Sequence, residues 1–306
     1  MDLNIDKANK EFRKRGINEI VKLNELLKYH TSLRIGGPAD LFCSPRNLEE
    51  LIKTISIAQE CHIPFWIMGN GTNLLVLDKG VRGLVIKLGE GFKNINFFDK
   101  TVQAGAGVNL FYLSKVAFNK GLTGLEFAIN IPGTIGGAII NNAGFAGRYM
   151  ADIVESVTFL TKEKRIKKLP LADLNFKYRE CDLKRQLAII LEATLFLKEG
   201  DKEKISSLME EYVKIRKNKQ PIDELTAGSV FKNPPGFYAG ELIEKAGAKG
   251  LSRGGARVSS KHANFIINKG GAKATDVLFL IREIEKRVEE NFGIKLEREI
   301  EIWGEL

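Results

Sequence analysis

The chain has 306 residues and a formal net charge of +9; 44% of its residues are hydrophobic and 28% are charged. These proportions are typical of a globular protein with two or three packed units. No apolar run is long enough to span a bilayer, and no signal segment opens the chain, so we expect a cytoplasmic protein without membrane insertion. The cysteines and histidines lack metal-ligand spacing, which predicts free thiols and no metal site.

The basic residues are spread along the predicted helices and are mixed with acidic residues. The one dense cluster, residues 162–168, lies between two apolar strand-like runs and is predicted to be a solvated hairpin tip. A nucleic-acid-binding protein more often shows a basic stripe with interleaved aromatic side chains. We therefore expect small phosphorylated ligands, and no nucleic acid, as the anionic partners.

Hydrophobic periodicity predicts a mixture of helices and short strands in chain order. An amphipathic helix runs to about Leu27 with an interruption near Gly16, and further helices cover residues 47–60, 109–119, 202–219 and 275–291. Asn47 is the expected N-cap of the second helix. The predicted strands cover residues 39–43, 65–68, 74–77, 84–88, 95–98, 102–104, 154–161, 165–169, 187–197 and 294–302. Because strands and helices do not alternate regularly, the pattern predicts an α+β fold rather than a doubly wound sheet.

A short glycine loop, residues 69–73, joins two of these predicted strands. Its sequence Gly-Asn-Gly-Thr-Asn allows backbone N–H groups to turn towards one point and form an anion nest, for which pyrophosphate is a natural ligand. The alternative is a hairpin turn with a glycine bulge, which the loop by itself favours. No helix opens after the loop and no Gly-Lys-Ser/Thr follows any glycine cluster, which argues against a Rossmann fingerprint and a P-loop.

The densest glycine segment covers residues 121–144 and contains Pro132-Gly133 followed by Gly136-Gly137. This sequence is predicted to form neither a stable helix nor a central strand, although its isoleucines require burial. An isoalloxazine ring with its pyrophosphate would fit against such a backbone. Close packing between neighbouring elements would explain the glycines equally well.

An ordered set of motifs resembles the UDP-N-acetylenolpyruvoylglucosamine reductases. The motifs are residues 31–40, 69–76, 121–144, 178–179, 228–234, 239–247, 260–268 and 296–300, and they span most of the chain in the family's order. The direct passage from Arg179 to the strand at Leu187 resembles the shorter subtype, which lacks an inserted lid. The chain departs from the family's usual residues at Asn141, Cys181 and Arg298, and the last departure leaves the register of Glu299 open.

The resemblance implies the FAD-binding fold of the vanillyl-alcohol-oxidase (PCMH) type in two subdomains, residues 1–67 and 68–200. A C-terminal αβ substrate-binding domain, residues 201–306, would follow and return its last residues near the site. FAD and NADPH are the implied cofactors, and a monomer is expected. The implied cofactor contacts are Arg34, Gly36, Gly69, Asn70, Gly71, Thr72, Asn73, Leu74, Pro132, Gly133, Thr134, Gly136, Gly137, Asn142, Ala143 and Gly144.

The resemblance also implies NADPH-dependent reduction of UDP-N-acetylglucosamine enolpyruvate to UDP-N-acetylmuramate for peptidoglycan synthesis. Hydride passes from flavin N5 to the enolpyruvyl methylene carbon, Ser229 donates a proton, and Arg179 and Glu299 stabilise the enolate. The implied substrate contacts are Tyr178, Lys219, Lys232 and Asn233. Without the resemblance, Ser229 would be an ordinary turn serine and Glu299 a solvated strand carboxylate.

Two other functions stay open at this point. An FAD-dependent alcohol or hydroxy-acid oxidase or dehydrogenase would share the fold, and a basic RNA- or DNA-binding module would share the charge. The motifs at residues 228–234 and 296–300 favour the reductase over the oxidase, because they belong to the substrate half of the family.

Overall fold

A computed structural model describes residues 4–186 and 188–306 of the chain. The α-helices of these residues are α1 (Ile5–Lys14), α2 (Leu48–Glu60), α3 (Leu110–Asn119), α4 (Ile135–Ile140), α5 (Lys202–Lys219), α6 (Ala239–Lys245) and α7 (Ala274–Phe292). None of the helices in these two ranges has the length and apolar character needed to cross a membrane.

The strands are short and form three larger sheets and three two-stranded pairs within the described chain. In chain order they are β1 (Val21–Leu26), β2 (Pro38–Cys43), β3 (Phe65–Met68), β4 (Leu74–Val76), β5 (Val81–Lys87), β6 (Ile95–Phe98), β7 (Thr101–Gly105), β8 (Leu122–Thr123), β9 (Gly144–Phe145), β10 (Arg148–Tyr149), β11 (Val154–Leu160), β12 (Ile166–Pro170), β13 (Ile189–Phe196), β14 (Lys198–Glu199), β15 (Leu225–Ser229), β16 (Ser252–Arg253), β17 (Ala256–Val258), β18 (Phe265–Asn268) and β19 (Glu301–Trp303). This mixture confirms the α+β class.

The first sheet has the strand order β1-β2-β5-β3. β1 is antiparallel to β2, whereas β2, β5 and β3 are parallel. Helix α2 begins where Asn47 accepts a hydrogen bond from the Glu50 N–H at 2.9 Å, as the N-cap prediction required. Phe12 of α1 and Leu51 and Ile55 of α2 are buried in one apolar cluster with this sheet, so both helices are held by core packing.

The second sheet is antiparallel throughout, with the order β12-β11-β13-β7-β6. Its apolar core takes Leu113 from α3 and Ile135 and Ile139 from α4, packed with Val157 and Leu195 of the strands. Ile135 and Ile139 of the glycine-dense segment therefore find the burial that the sequence required, and Ile131 and Ile140 pack partly buried against the same core.

The third sheet has the order β15-β18-β17-β16 and packs with α6 and α7. The same buried cluster includes Leu33, Ile35 and Leu75 from the N-terminal half. The last strand, β19, pairs in parallel with β4, immediately after the glycine loop. The end of the chain therefore returns to the loop that was predicted to bind a cofactor.

The N-terminal helix prediction is wrong beyond Gly16, since residues 21–26 form strand β1. β1 pairs with β2 in an antiparallel ladder, and this long-range pairing satisfies backbone groups that a helix would pair locally. In contrast, α5 coincides with the predicted helix, Lys202–Lys219. Leu187, predicted as the first residue of a strand, lies outside the described residues.

Two further predictions are corrected. The glycine-dense segment does form a helix, α4, in which the Gly137 N–H donates to Thr134 Oγ1 at 3.4 Å. A Cβ on Gly136 would lie 3.2 Å from the Cβ of Ala106, so the helix tolerates glycine because a neighbouring strand end approaches it closely. The strand predicted over residues 294–302 is limited to Glu301–Trp303.

Candidate active site

The glycine loop lies against the segment that precedes α4. Thr72 Oγ1 donates to the carbonyl oxygen of Pro132 at 3.4 Å. A Cβ on Gly69 would lie 2.7 Å from Thr134 Oγ1. Two of the glycine-rich segments singled out in the sequence therefore form one surface.

The backbone of the glycine loop is shaped to bind an anion. Gly71 has a φ of 63°, and a Cβ there would lie 2.2 Å from the carbonyl oxygen of His30, so only glycine fits. Within the described chain the backbone N–H groups of Asn70, Gly71 and Thr72 donate no hydrogen bond. Unpaired N–H groups on one tight loop are the donors that a phosphate needs. These residues therefore fit the diphosphate of FAD.

Two other predicted cofactor contacts, Leu74 and Gly36, lie on or beside the strand that follows this loop, and a third, Arg34, is exposed. Leu74 begins β4 directly after the loop. Gly36 lies beside the same strand, since a Cβ on it would lie 2.8 Å from the Cβ of Val76. The guanidinium of Arg34 is exposed, and its Nη1 donates to the Tyr29 carbonyl at 3.2 Å.

The residues that follow α4 make hydrogen bonds and close contacts with other parts of the protein. Asn142 is buried; its Nδ2 donates to the Lys177 carbonyl at 3.0 Å and its Oδ1 accepts from the Ala151 N–H at 3.1 Å. A Cβ on Gly144 would lie 2.3 Å from the carbonyl oxygen of Arg148, across the β9–β10 pair. The side chain of Asn142 therefore braces the turn that follows Lys177.

Ser229 ends β15 beside the glycine loop. The register of β15 against β18 shifts between Thr226 and Ser229, and the preceding Gly228 has a φ of 80°. A Cβ on Gly228 would lie 3.9 Å from the carbonyl oxygen of Thr72. This bulge presents the half-buried Ser229 next to the predicted cofactor site.

Arg179 and Glu299 come from distant segments and form an ion pair, with Nε and Oε1 2.9 Å apart. Arg179 has a φ of 58° in a tight turn closed by hydrogen bonds between Lys177 and Glu180. The Nε–H does not point at the carboxylate, and this buried nitrogen has no aligned hydrogen-bond partner in the described residues. The Nε therefore faces Glu299, and the terminal nitrogens of the guanidinium are the donors that a ligand could reach.

Burial raises the pKa of the Glu299 carboxyl, and the nearby cations Arg179, Lys232 and Lys184 oppose this rise. The direction means that burial outweighs the attraction of three positive charges. Glu299 therefore retains a proton to higher pH than an exposed glutamate does.

The structure also settles which glutamate of the C-terminal segment faces Arg179. The other charged residues have separate partners: Glu297 pairs with Lys232 at 2.5 Å, Arg298 with Glu285 at 2.8 Å, and Glu301 with Lys184 at 2.6 Å. The departure from the family's usual residue at Arg298 left open which glutamate of this segment lies at the site. In the structure, Glu299 is the one that meets Arg179.

The predicted substrate contacts are only partly brought together. Tyr178 Oη accepts a hydrogen bond from the Asn233 N–H at 3.4 Å, and Lys232 lies close enough to Glu299 to act on its pKa. Lys219 is the exposed last residue of α5. It makes no hydrogen bond or ion pair with this group in the described part of the chain.

Asn264 is a positioning residue that the sequence argument missed. Its buried side chain accepts from the Phe231 N–H at 2.9 Å and donates to the Phe231 carbonyl at 2.8 Å. Its own carbonyl accepts from Val230, and the Val230 carbonyl accepts from the Glu299 N–H at 2.8 Å. Asn264 thus fixes the backbone that joins Ser229 to Glu299. Its signal was an asparagine inside an apolar run, which requires buried hydrogen-bond partners.

The fold and the site define an FAD-binding oxidoreductase. A family model described as an FAD binding domain matches residues 39–169. A solved BBE-like 1 variant from Physcomitrella patens superposes with a TM-score of 0.57 at 14% identity, covering 93% of this chain and 88% of that one. At this identity the likeness concerns the fold alone, and it supports the vanillyl-alcohol-oxidase type.

Closer relatives define the family. The model for the UDP-N-acetylenolpyruvoylglucosamine reductase C-terminal domain matches residues 220–303. The reductase of that name from Caldanaerobacter subterraneus subsp. tengcongensis is 49% identical over 94% of this chain and 97% of its own length. The solved structure of the Thermus caldophilus reductase has a TM-score of 0.81 and 39% identity, covering 93% of this chain and 99% of that one.

This chain belongs to the UDP-N-acetylenolpyruvoylglucosamine reductase family. A relative from Clostridioides difficile with the same name is 42% identical over 94% of both chains. The family resemblance, the FAD-binding fold with a C-terminal domain, and the oxidoreductase class are confirmed.

Proposed function

We propose that this protein uses NADPH and bound FAD to reduce UDP-N-acetylglucosamine enolpyruvate to UDP-N-acetylmuramate, as a cytoplasmic monomer in peptidoglycan precursor synthesis. The observation that carries the proposal is the half-buried Arg179–Glu299 pair, which adjoins Ser229 through the Val230 backbone. The relatives named for a reductase of the enolpyruvyl compound support the choice of substrate.

The glycine loop and residues 132–134 would hold FAD, with the unpaired N–H groups of the loop on its diphosphate. When bound, FAD supplies hydride chemistry, taking a hydride from NADPH and giving it to the methylene carbon of the enolpyruvyl group. The protein's own task is to bind the substrate, to stabilise the charge that results and to supply one proton.

Arg179 binds the carboxylate of the enolpyruvyl group through the terminal N–H groups of its guanidinium, while its Nε stays beside Glu299 Oε1 at 2.9 Å. Addition of hydride to the methylene carbon places negative charge on the neighbouring carbon and its carboxylate, and the guanidinium stabilises that charge. Glu299, which burial keeps protonated to higher pH, donates a hydrogen bond to the same enolate.

Ser229 donates the proton. Its hydroxyl stands at the bulge of β15, next to the glycine loop, where the substrate carbon would meet the cofactor. Transfer of the proton to the carbon that carries the carboxylate completes the addition of two hydrogens across the double bond. The serine regains its proton from water. Tyr178, Lys219, Lys232 and Asn233 stay the proposed contacts for the UDP-sugar.

The test is an anaerobic absorbance titration of the purified, FAD-reconstituted protein. NADPH should bleach the flavin band, and UDP-N-acetylglucosamine enolpyruvate should restore it. Bleaching without recovery would instead favour an alcohol or hydroxy-acid oxidase or dehydrogenase with the same fold. A protein that binds no FAD on reconstitution would refute the proposal.

A further inference from the structure

Arg216, in the last turn of α5, is a half-buried cation that has no role in the proposed reaction. Its Nη1 donates to the carbonyl oxygen of Asn130, and its Nε donates to Gln220 Oε1 at 3.0 Å. The guanidinium carbon lies 5.4 Å from the centre of the Phe145 ring. These partners are neutral, so they orient the guanidinium without balancing its charge.

No carboxylate in the described chain forms an ion pair with Arg216. Burial, together with the positive charge of Arg179, lowers its pKa to about 10. A buried charge without a counterion is costly. Two guanidinium groups near each other make this an electropositive site that an anion would stabilise.

An unsatisfied hydrogen-bond donor lies on Asn130, the residue whose carbonyl oxygen Arg216 contacts. Nδ2 of Asn130 is buried and has no hydrogen-bond partner among the described residues. Asn130 precedes the Pro132–Thr134 segment that contacts the glycine loop, and Phe145 follows Gly144 on β9. Arg216 therefore stands where α5 meets the predicted cofactor site on one side and Arg179 on the other.

We propose that Arg216 binds a phosphate of the diphosphate group that a reactant brings into the site. This inference rests on the proposed function, in which NADPH and the UDP-sugar both carry a diphosphate. A guanidinium suits phosphate because its planar fork offers paired N–H donors. The FAD diphosphate has the unpaired N–H groups of the glycine loop, and the enolpyruvyl carboxylate has Arg179, which leaves the diphosphate of a reactant for Arg216.

The experiment measures binding of UDP and, separately, of NADP⁺ to the oxidised FAD-loaded enzyme by calorimetry. Arg216→Met keeps an apolar side chain on Phe145 and removes the charge. It should lower the affinity for UDP, for NADP⁺ or for both by about 10- to 100-fold. The control, Lys214→Met, removes an exposed cation from the same helix and should leave both affinities unchanged. The ligand whose affinity falls identifies the reactant that supplies the phosphate.

Thermal unfolding separates binding from a structural role. Because the charge is half-buried and has no acidic partner in the described chain, ligand-free Arg216→Met should be as stable as the wild type or more stable, while it loses the stabilisation that UDP or NADP⁺ provides. Arg216→Lys, which keeps the charge, should recover part of the affinity.

Three outcomes would overturn the inference: unchanged affinity for both ligands, loss of FAD with unchanged affinity for both, or a marked drop in the stability of the ligand-free Arg216→Met protein. The flavin assay on the wild-type protein distinguishes these outcomes from a failure of the proposed function. If the wild-type flavin is bleached by NADPH and restored by the enolpyruvyl ether, only the role of Arg216 has failed. If it is not, the proposed function has failed and this inference with it.

Discussion

The predicted cofactor site and the predicted reactive site are built from different parts of the chain. The glycine loop offers unpaired backbone N–H groups as its proposed donors, and its shape depends on glycines such as Gly71, whose Cβ atom would collide with neighbouring backbone. The reactive site depends on the side chains of Ser229, Arg179 and Glu299, which come from three segments far apart in sequence.

This difference determines how each site can fail. A site made of backbone donors is lost when the path of the chain is forced to change, and cofactor binding is then lost with it. A site made of side chains loses one chemical step when one group is removed, while the surrounding scaffold persists. Substitutions in the two regions should therefore separate cofactor binding from chemistry.

The largest effect is expected at Ser229. Ser229→Ala should slow flavin reoxidation by the enolpyruvyl substrate about 10²- to 10⁴-fold, because a general acid is lost. Reduction by NADPH should be unchanged, and stopped-flow absorbance measures both half-reactions. Ser252→Ala, on β16 of the same sheet, is the matched control and should leave both rates unchanged. Equal slowing of both half-reactions by Ser229→Ala would mean that the serine is structural.

A somewhat smaller effect is expected at Arg179. Arg179→Ala removes the guanidinium that is proposed to stabilise the enolate, and it should slow reoxidation about 10²- to 10³-fold, with normal flavin content. Arg185→Ala removes an exposed arginine that pairs with Glu180 nearby, and should keep the wild-type rate. A variant that cannot hold FAD would show that Arg179 supports the scaffold rather than the substrate.

In the backbone-built site, Gly71→Ala should weaken FAD binding by about 10-fold or more, since the left-handed conformation alone costs on the order of 1–3 kcal/mol. The added Cβ would also meet the His30 carbonyl oxygen at 2.2 Å. Gly147→Ala is the matched control, because Gly147 has a φ of 78° with nothing within 4 Å of its Cβ position. It should lose some stability and keep FAD. Equal flavin content in the two variants would contradict the role of the loop.

The smallest effect concerns the proton of Glu299. Because folding raises the pKa of this carboxyl above its ordinary value of 4.5, the stability that the proton contributes is complete below that value. It is lost as the pH rises through the raised pKa. Reoxidation of the flavin by substrate should also slow as the pH rises through this pKa. The rate of Glu299→Gln, whose side chain cannot ionise, should not change over the same pH range.

A pH series of stopped-flow reoxidation rates measures this dependence. Glu290→Gln, at an exposed glutamate of α7, should keep the wild-type profile. If the wild-type rate shows no change that Glu299→Gln removes, the carboxyl proton takes no part in the reaction.

Local sequence was sufficient for the elements whose cause is local. The Asn47 cap, the amphipathic helix Lys202–Lys219 and the glycine loop all depend on residues within a few positions of one another. For the same reason the family's motifs could be placed along the chain before any contact between them was known.

The tertiary structure decided what depends on distant partners. Residues 21–26 became a strand because β2 was available to pair with them, and glycines 136 and 137 entered a helix because Thr134 and Ala106 supported it. The bracing role of Asn264 depends on a partner strand that no local pattern identifies.

The amino-acid sequence alone was enough to predict the fold class, the family and the residue types that the chemistry needs. The folded arrangement brought Glu299 rather than its neighbours to Arg179, placed the Ser229 bulge beside Thr72, and left Arg216 half-buried without an acidic partner among the described residues. The physical reason is that charge balance, burial and hydrogen-bond satisfaction are properties of groups that meet in space, and local periodicity carries no information about which distant groups meet.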